Sequence, residues 1–247
     1  MAKFIDRKGE RHLSNDNTWM TIIICRGSMN CDIQFDDGNI IRNRAYDCIK
    51  KGKVKNMYHP SKYEVGYIGE GKYATKINGK DTKEYCTWSD MLKRGYSELF
   101  QKNQITYLEC TINKQWHNFQ VFAQWFDDNY KEGFELDKDI LVKGNKNYSP
   151  ETCCFVPHEI NSLFIKSNIS RGKYPIGVRK SGNKFQAQIS KKGEPVHLGT
   201  FDTPEEAFQT YKIAKEEYIK EMADKWRGQI TEPCYDAMYN YQVEITD

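Results

Sequence analysis

The feature that most constrains this fold is a helix start at residue 203, directly after three short β-type segments. Thr203 can cap the helix, Pro204 suits its first position, and Glu206 completes a capping box. Small and aromatic residues then recur at helical spacing and share one face of the helix. They are Ala207, Tyr211, Ala214 and Tyr218. The pattern predicts a helix over 203–225 whose alanines allow close packing against a sheet.

The three segments before this helix predict the sheet itself, with strands over 176–180, 184–190 and 196–201. Turns at 181–183 and 192–193 separate them. In the middle strand, Phe185, Ala187 and Ile189 alternate with polar residues and belong on the helix side. The polar face, which includes Lys184, Gln186 and Gln188, is therefore expected to be free.

Charge is concentrated in this part of the chain. Between residues 168 and 201 there are seven basic residues and one acid, a balance of +6 from 7 − 1, whereas the whole chain carries +3. The basic residues are Arg171, Lys173, Arg179, Lys180, Lys184, Lys191 and Lys192. Cations neutralise phosphates, and Arg or Gln pairs with base edges, so these residues with Gln186 and Gln188 predict double-stranded DNA as the partner. The alternative is an ordinary solvated strand face.

The same segment resembles a known DNA-binding family. Its residues 177–179, 185–189 and the run His197-Leu-Gly-Thr-Phe-Asp-Thr-Pro-Glu-Glu-Ala207 resemble the plant ethylene-response-factor domain, or APETALA-two fold, over about residues 170–222. The resemblance implies a three-stranded sheet that enters the major groove, with Arg and Trp residues touching bases. Phe185 stands where the family's second strand usually has Trp. Such domains also occur in phage and mobile-element endonucleases.

A second group of polar residues lies in the middle of the chain. It comprises Leu136-Asp-Lys-Asp-Ile140, the loop Gly144-Asn-Lys-Asn-Tyr-Ser-Pro-Glu-Thr152, and Pro157-His-Glu-Ile-Asn161. These segments resemble the HNH endonuclease family, in the branch found beside such DNA-binding domains in phages. The resemblance covers about residues 84–165. It implies two strands and a helix that hold one divalent metal ion.

The resemblance also implies residue roles. Asp137 matches the strand ligand and Asn161 the helix ligand, and their oxygen atoms suit Mg²⁺, bound weakly at most. The candidate catalytic residues are Asp137, Lys138, Asp139, His158 and Asn161. Lys138 stands where the family has its general-base His, and Thr152 stands where an Asn orients that His. A lysine at its ordinary pKa is a poor base at neutral pH.

Three functions remain open from the sequence. The first is a DNA-binding protein derived from an HNH homing endonuclease whose catalytic centre has degenerated. The second is an active, metal-dependent DNA endonuclease of the same type. The third is an RNA-binding or structural interaction protein. Each polar candidate also has a structural interpretation: exposed acids at Asp137 and Asp139, a turn brace at Asn161, and a helix start at His158.

The N-terminal part predicts a small β module. A β-branched strand over 19–25, an alternating strand over 32–36 and the turn at Asp37-Gly38 indicate it. It resembles a module that recurs upstream of phage nuclease units. A basic run, Lys50, Lys51, Lys53 and Lys55, is either a solvated loop or a contact to a phosphate backbone.

The segment between this module and the second polar group predicts helices with aromatic faces. The spacing of Trp88, Met91, Leu92 and Tyr96, and of Trp116, Phe119, Phe122, Ala123 and Phe126, indicates core rather than a binding platform. His117 is expected to be packed and not catalytic.

The chain has eight cysteines and no C-x-x-C pair, so no zinc is expected. No apolar run approaches the length of a membrane span, and no membrane partner is expected. These features indicate the reducing cytoplasm, which would be that of the host cell for a phage-encoded protein.

The resulting fold class is α+β with a small N-terminal β module, an HNH-like ββα-metal middle unit with flanking helices, and a C-terminal three-stranded antiparallel sheet packed on one helix. The predicted boundaries are 1–75 for the β module, 76–165 for the nuclease-like unit, 166–230 for the DNA-binding domain and 231–247 for a tail.

Overall fold

The structure is a computed structural model that describes residues 5–165 and 173–247. The chain forms two compact units, of which the first ends at Asp127 and the second begins at Asp128. Helices and antiparallel strands occur in both, so the predicted α+β class is confirmed. The division between the units falls inside the segment predicted as the nuclease-like unit.

The first unit begins with a four-stranded antiparallel sheet in sequence order. Its strands are Arg11–Leu13 (β1), Trp19–Cys25 (β2), Cys31–Phe35 (β3) and Ile40–Arg44 (β4), followed by the short helix Tyr46–Lys50 (α1). Met20, Ile22, Ile33 and Phe35 alternate along β2 and β3 and are buried with Ile49 of α1 in one core. The β2 bounds are those predicted, because a β-branched run with one buried face specifies its register.

The rest of the first unit is mainly helical. The elements are Lys76–Ile77 (β5), Lys80–Asp81 (β6), Lys83–Tyr96 (α2), Glu98–Asn103 (α3), Thr111–Ile112 (β7) and Phe119–Asn129 (α4), with 3₁₀ turns at Ile105–Tyr107 and Lys114–His117. Trp88, Trp116 and Phe119 have no exposed surface, which confirms that the aromatic faces are core. His117 is half-buried with its Nε2 2.7 Å from the Tyr96 hydroxyl, and burial lowers its pKa.

The second unit begins with two strands and a helix over residues 134–161, the ββα segment. Phe134–Asp137 (β8) pairs antiparallel with Cys154–Pro157 (β10), and the single turn His158–Asn161 (α5) follows directly. A loop that contains Asn147–Tyr148 (β9) joins the strands, and the 3₁₀ turn Ser162–Phe164 follows α5.

The C-terminal sheet consists of Val178–Ser181 (β11), Lys184–Lys191 (β12) and Glu194–Phe201 (β13), antiparallel and in that order. The helices Pro204–Lys225 (α6) and Glu232–Tyr239 (α7) follow. The predicted capping box is confirmed: Glu206 N–H donates to Thr203 Oγ1, and Thr203 N–H donates to the Glu206 carboxylate, each at 3.3 Å.

One hydrophobic core runs through the whole second unit. Val156 and Ile160 of the ββα segment belong to the same buried cluster as Ala187 of the sheet and Ala207 of α6. Met238 of α7 is also fully buried in it. The core is therefore continuous across the predicted boundary at residue 166, and the predicted tail contributes a packed helix.

Within the described residues, no helix combines the length and apolar character that crossing a bilayer requires.

Candidate nucleic-acid interface

The three-stranded sheet has one covered and one free face. Ala187 of β12 pairs with Val178 of β11, and both are buried beneath α6 together with Ile189. Because side chains alternate along a strand, the residues between these positions point to the opposite side. Among the described residues of the second unit, no helix covers that side in the way that α6 covers the first.

A row of polar side chains crosses the free face. Arg179 of β11 lies opposite Gln186 of β12, which lies opposite Thr200 of β13. Arg179 Nε donates to Gln186 Oε1 at 3.0 Å. A second pair, Gln188 and His197, follows after a β-bulge in the register. The free face therefore presents guanidinium, amide, hydroxyl and imidazole groups side by side.

A glycine fixes the edge of this sheet against the helix. Gly177 precedes β11 with φ of +75°, and a Cβ there would lie 2.0 Å from the Tyr211 ring of α6. Its carbonyl accepts the backbone N–H of Gln188 at 2.8 Å. A side chain at 177 would force the ring away, so this glycine holds the edge strand close to α6.

The predicted basic residues do not all lie on the free face. Arg179 and Lys184 do, and Lys184 Nζ lies 3.0 Å from Asp202. Lys180 and Lys191 have the opposite alternation and lie on the helix side, where Lys191 Nζ is 3.4 Å from Glu221 of α6. A cluster of basic residues in sequence is thus divided between two faces.

The remaining predicted contacts lie at the margins of the sheet. Lys173 is exposed before β11, and Lys192 is exposed in the turn between β12 and β13, where its N–H donates to the Tyr218 hydroxyl. Gln186 and Gln188 are half-buried on the free face. Arg171 lies outside the described residues.

His197 and Thr200 lie on the free face and were missed by the sequence analysis. For His197 the bulge is the reason, because it inserts Leu198 into β13 between the residues that pair with Ala187 and Gln188. Simple alternation from Phe201 places Thr200 correctly but assigns His197 to the covered side. The run Leu-Gly-Thr, with a flexible glycine inside a strand, was the available signal.

The ββα segment places a different carboxylate at its helix from the one predicted. Glu135 of β8 accepts a hydrogen bond from Asn161 Nδ2 at 2.6 Å, and its other oxygen lies 2.9 Å from His158 Nδ1. Glu135 pairs across the strands with Val156, two residues before α5. It shares the strand face of Asp137 but lies closer to the helix, a relation that the strand register alone reveals.

The Asp137 side chain forms hydrogen bonds within its own loop. Its Oδ1 accepts the backbone N–H groups of Asp139 at 2.7 Å and of Ile140 at 2.8 Å. Burial raises the pKa of its carboxyl group, against the opposing effect of these two hydrogen bonds. The arrangement is that of a side chain capping a turn.

Lys138 is a buried structural residue. Only 6% of it is exposed, and its Nζ donates to Asp139 Oδ2 at 2.6 Å and to the Asn145 carbonyl at 3.1 Å. Asn145 donates back to the Lys138 carbonyl at 2.8 Å. Thr152, at the position of the family's orienting Asn, donates to the Asn147 carbonyl at 2.7 Å. These side chains hold the loop between β8 and β10 together.

The residues present do not fit the predicted Mg²⁺ site. Asp137 is bound to backbone donors, and Asn161 donates to Glu135 instead of offering its oxygen beside Asp137. Across the residues that the structure describes, no three His, Cys, Asp or Glu side chains are grouped so that they could hold a metal ion. The geometry therefore supplies neither the expected ligand pair nor a base at position 138.

Comparison of the chain with protein-family models, with curated proteins and with solved structures finds no significant match.

Proposed function

We propose that this chain binds double-stranded DNA through the free face of β11, β12 and β13. The observation that carries the proposal is the row Arg179, Gln186 and Thr200 on a sheet whose other face packs against α6. Arg pairs with guanine and Gln with adenine in the major groove, and the groove admits small β-sheet elements. A rigid helix behind the strands keeps these side chains in register.

Duplex DNA is favoured over RNA by what the face lacks. Sequence-specific RNA binding usually depends on exposed aromatic rings that stack on unpaired bases. Tyr174, just before β11, and Phe185 and Phe201 of the sheet pack against the core, and the ring on the free face is His197, whose Nε2 lies 3.5 Å from the Thr200 hydroxyl. The free face offers hydrogen bonds and positive charge instead, which suits base edges and phosphates of an intact duplex.

We infer no cleavage step for this chain. Of the polar positions that resemble a nuclease centre, Asp137 and Lys138 bond within their own loop. His158 and Asn161 contact Glu135. The chain is therefore a binding protein that acts by occupancy. Its cysteines are all free thiols, and we place its activity in a reducing cytoplasm.

Two double variants test the proposal. Arg179→Ala with Lys184→Ala removes two cations from the free face. Lys180→Ala with Lys191→Ala removes two from the helix side. The pairs are matched, because Lys184 and Lys191 each have one acidic partner. Binding to a labelled duplex is measured by fluorescence anisotropy over a range of salt concentrations.

The free-face variant should weaken binding and reduce the salt slope by about two, roughly one for each lost phosphate contact. The helix-side variant should retain most of the affinity. Equal losses in the two variants would show that binding follows net charge and that the free face is not the interface.

A further inference from the structure

The first unit contains a large cavity that the sheet interface does not involve. Its volume is about 1030 Å³, at the upper end of the roughly 300–1,000 Å³ typical of ligand sites. One wall consists of residues 43–57, which run from the end of β4 through α1. The other consists of residues 68–76. The rim residues Arg44, Lys53, Lys55 and Glu70 are exposed, so the cavity is a groove open to solvent.

The second wall is held in place by α4. Gln120 Oε1 accepts the backbone N–H of Tyr73 at 2.9 Å, and Gln120 Nε2 donates to the Tyr73 carbonyl at 2.9 Å. A Cβ on Gly71 would lie 2.3 Å from that Gln120 oxygen. Gly69 N–H donates to the Met57 carbonyl at 2.7 Å, which ties the second wall to the first. The groove is thus preformed.

The rim of the groove is positively charged. Arg44, Lys53, Lys55 and Lys76 line it, with Glu70 as the acidic residue among the lining side chains. Lys76 pairs with Asp81 at 3.1 Å. Within the described chain, no ion pair involves Arg44, Lys53 or Lys55, and their charges are therefore available to an anionic ligand.

The groove also has an apolar lining. Met29, Ile41, Val54, Met57 and Ile68 contribute to it, together with the aromatic residue Tyr73. A single strand of nucleic acid combines the two required properties, since phosphates alternate with bases whose flat faces are apolar. In a duplex the bases are stacked inside and cannot reach such a surface. An acidic peptide with interspersed apolar residues is the competing ligand, and the displacement experiment below distinguishes the two.

We infer that this groove binds an unpaired stretch of nucleic acid, with phosphates at Arg44, Lys53 and Lys55 and bases against the apolar lining. This site is separate from the proposed duplex interface. It also gives a role to part of the basic run at 50–55, because Lys53 and Lys55 line the groove while Lys51 pairs with Asp47 at 2.7 Å.

The first test compares two charge reversals in the full chain. Lys53→Glu with Lys55→Glu alters the groove. Lys8→Glu with Lys50→Glu makes the same change in charge at exposed residues that do not line it. A labelled single-stranded oligonucleotide is the probe. The groove variant should bind about tenfold more weakly or worse, and its salt slope should fall by about 1.4, because each phosphate contact to a single strand contributes about 0.7.

The matched control should bind nearly as well as the unmodified chain. Equal losses in both variants, or no loss in either, would overturn the inference. Lys53→Gln with Lys55→Gln provides a milder version with an intermediate expected loss. Displacement of the strand by an acidic peptide of equal charge would show that the groove recognises charge alone, which would also overturn it.

The second test needs no variant. Cys48 lines the groove and is half-buried, whereas Cys86 is exposed and does not line it. The oligonucleotide should protect Cys48 from alkylation and leave Cys86 reactive, as read by mass spectrometry of the peptides. Unchanged alkylation of Cys48 at saturating oligonucleotide would contradict the inference.

The two sites can fail independently. The variant Arg179→Ala with Lys184→Ala should retain single-strand binding and the protection of Cys48. If it also loses both, the single strand binds at the sheet and the groove inference is wrong. If the variant keeps single-strand binding and Cys48 protection and its duplex binding is also unchanged, the duplex proposal is wrong and the groove inference is retained.

Discussion

The three-stranded sheet and the ββα segment belong to the same unit, yet they use their polar residues in different ways. On the sheet, Arg179 and Gln186 bond to each other at the surface and keep further donors and acceptors for a partner. In the ββα segment, Asp137 and Lys138 bond to groups of their own loop. The first arrangement suits recognition, and the second stabilises the fold.

The difference shows how local backbone geometry decides the role of a polar side chain. In the middle of a strand, the backbone groups are paired with the neighbouring strands. Side chains on the free face are therefore not needed as hydrogen-bond partners for the backbone. At the end of β8, the chain turns and leaves backbone N–H groups unpaired. A carboxylate at that position caps the turn because an unsatisfied buried N–H is costly.

The sharpest test of this comparison removes the charge of Lys138 in the ββα segment and, separately, that of Lys184 on the sheet. Lys138→Met removes the buried ammonium group that donates to the Asn145 carbonyl and to the half-exposed Asp139 carboxylate, and should lower the free energy of unfolding by about 2–3 kcal/mol. Lys184→Met on the sheet should change it by less than about 0.5 kcal/mol. Urea unfolding measures both. Similar stabilities would show that Lys138 is not a brace.

A histidine at position 138 tests the same region through activity. In a nuclease centre, Lys138→His would supply the missing base. Since this side chain lies in the loop and contacts Asp139 and Asn145, the variant should be less stable and should not nick duplex DNA with Mg²⁺ or Mn²⁺. Metal-dependent nicking that appears in the variant and disappears with Asn161→Ala would contradict this expectation.

Asp137 should affect stability by a smaller amount. Asp137→Ala removes the acceptor for two backbone N–H groups and should cost about 1–2 kcal/mol. Asp137→Asn keeps an oxygen at the same place and should preserve the cap. Duplex binding at a temperature where all three proteins are folded should be the same. A binding loss in the Asn variant would show that the carboxylate itself serves a partner.

The pH dependence separates charge from geometry at this position. Burial raises the pKa of Asp137 in the folded protein, so its contribution to stability is fully present below the unfolded pKa of about 3.9. That contribution is lost as pH rises through the folded pKa. The stability of Asp137→Asn relative to the unmodified chain should therefore increase from acid to neutral pH. A constant difference between the two unfolding curves would contradict the raised pKa.

Much of the fold could be predicted because local signals agreed with the packing. The capping box at Thr203 fixed the start of α6, and the alternation of Phe185, Ala187 and Ile189 identified the covered face of β12. The end of the second unit could not be predicted in this way. Val156 and Met238 share one core although they are far apart in sequence, and no local pattern reports such a contact.

The candidate sites were harder to predict, for two physical reasons. The bulge in β13 moved His197 to the free face, and alternation moved Lys180 and Lys191 away from it. In the ββα segment, Glu135 rather than Asp137 contacts the helix, because the strand register places it opposite Val156. The bulge and the β8 register depend on pairing between strands, which residue spacing along one strand does not reveal. The side on which Lys191 lies, in contrast, follows from the alternation of Phe185, Ala187 and Ile189.

The smallest expected effect concerns the helix behind the sheet. Thr203→Ala removes the acceptor for the Glu206 N–H at the start of α6 and should cost about 1 kcal/mol. Thr203→Ser keeps the hydroxyl and should restore most of this loss. Because Thr203 lies at the helix start and outside β11–β13, duplex affinity should be the same for all three proteins below their melting transitions. Thermal melts and anisotropy titrations of the same samples measure both quantities. If Thr203→Ala weakens duplex binding while the protein remains folded, the free face depends on the position of α6. The polar residues of the sheet would then depend on packing elsewhere in the unit, as those of the ββα segment depend on their loop.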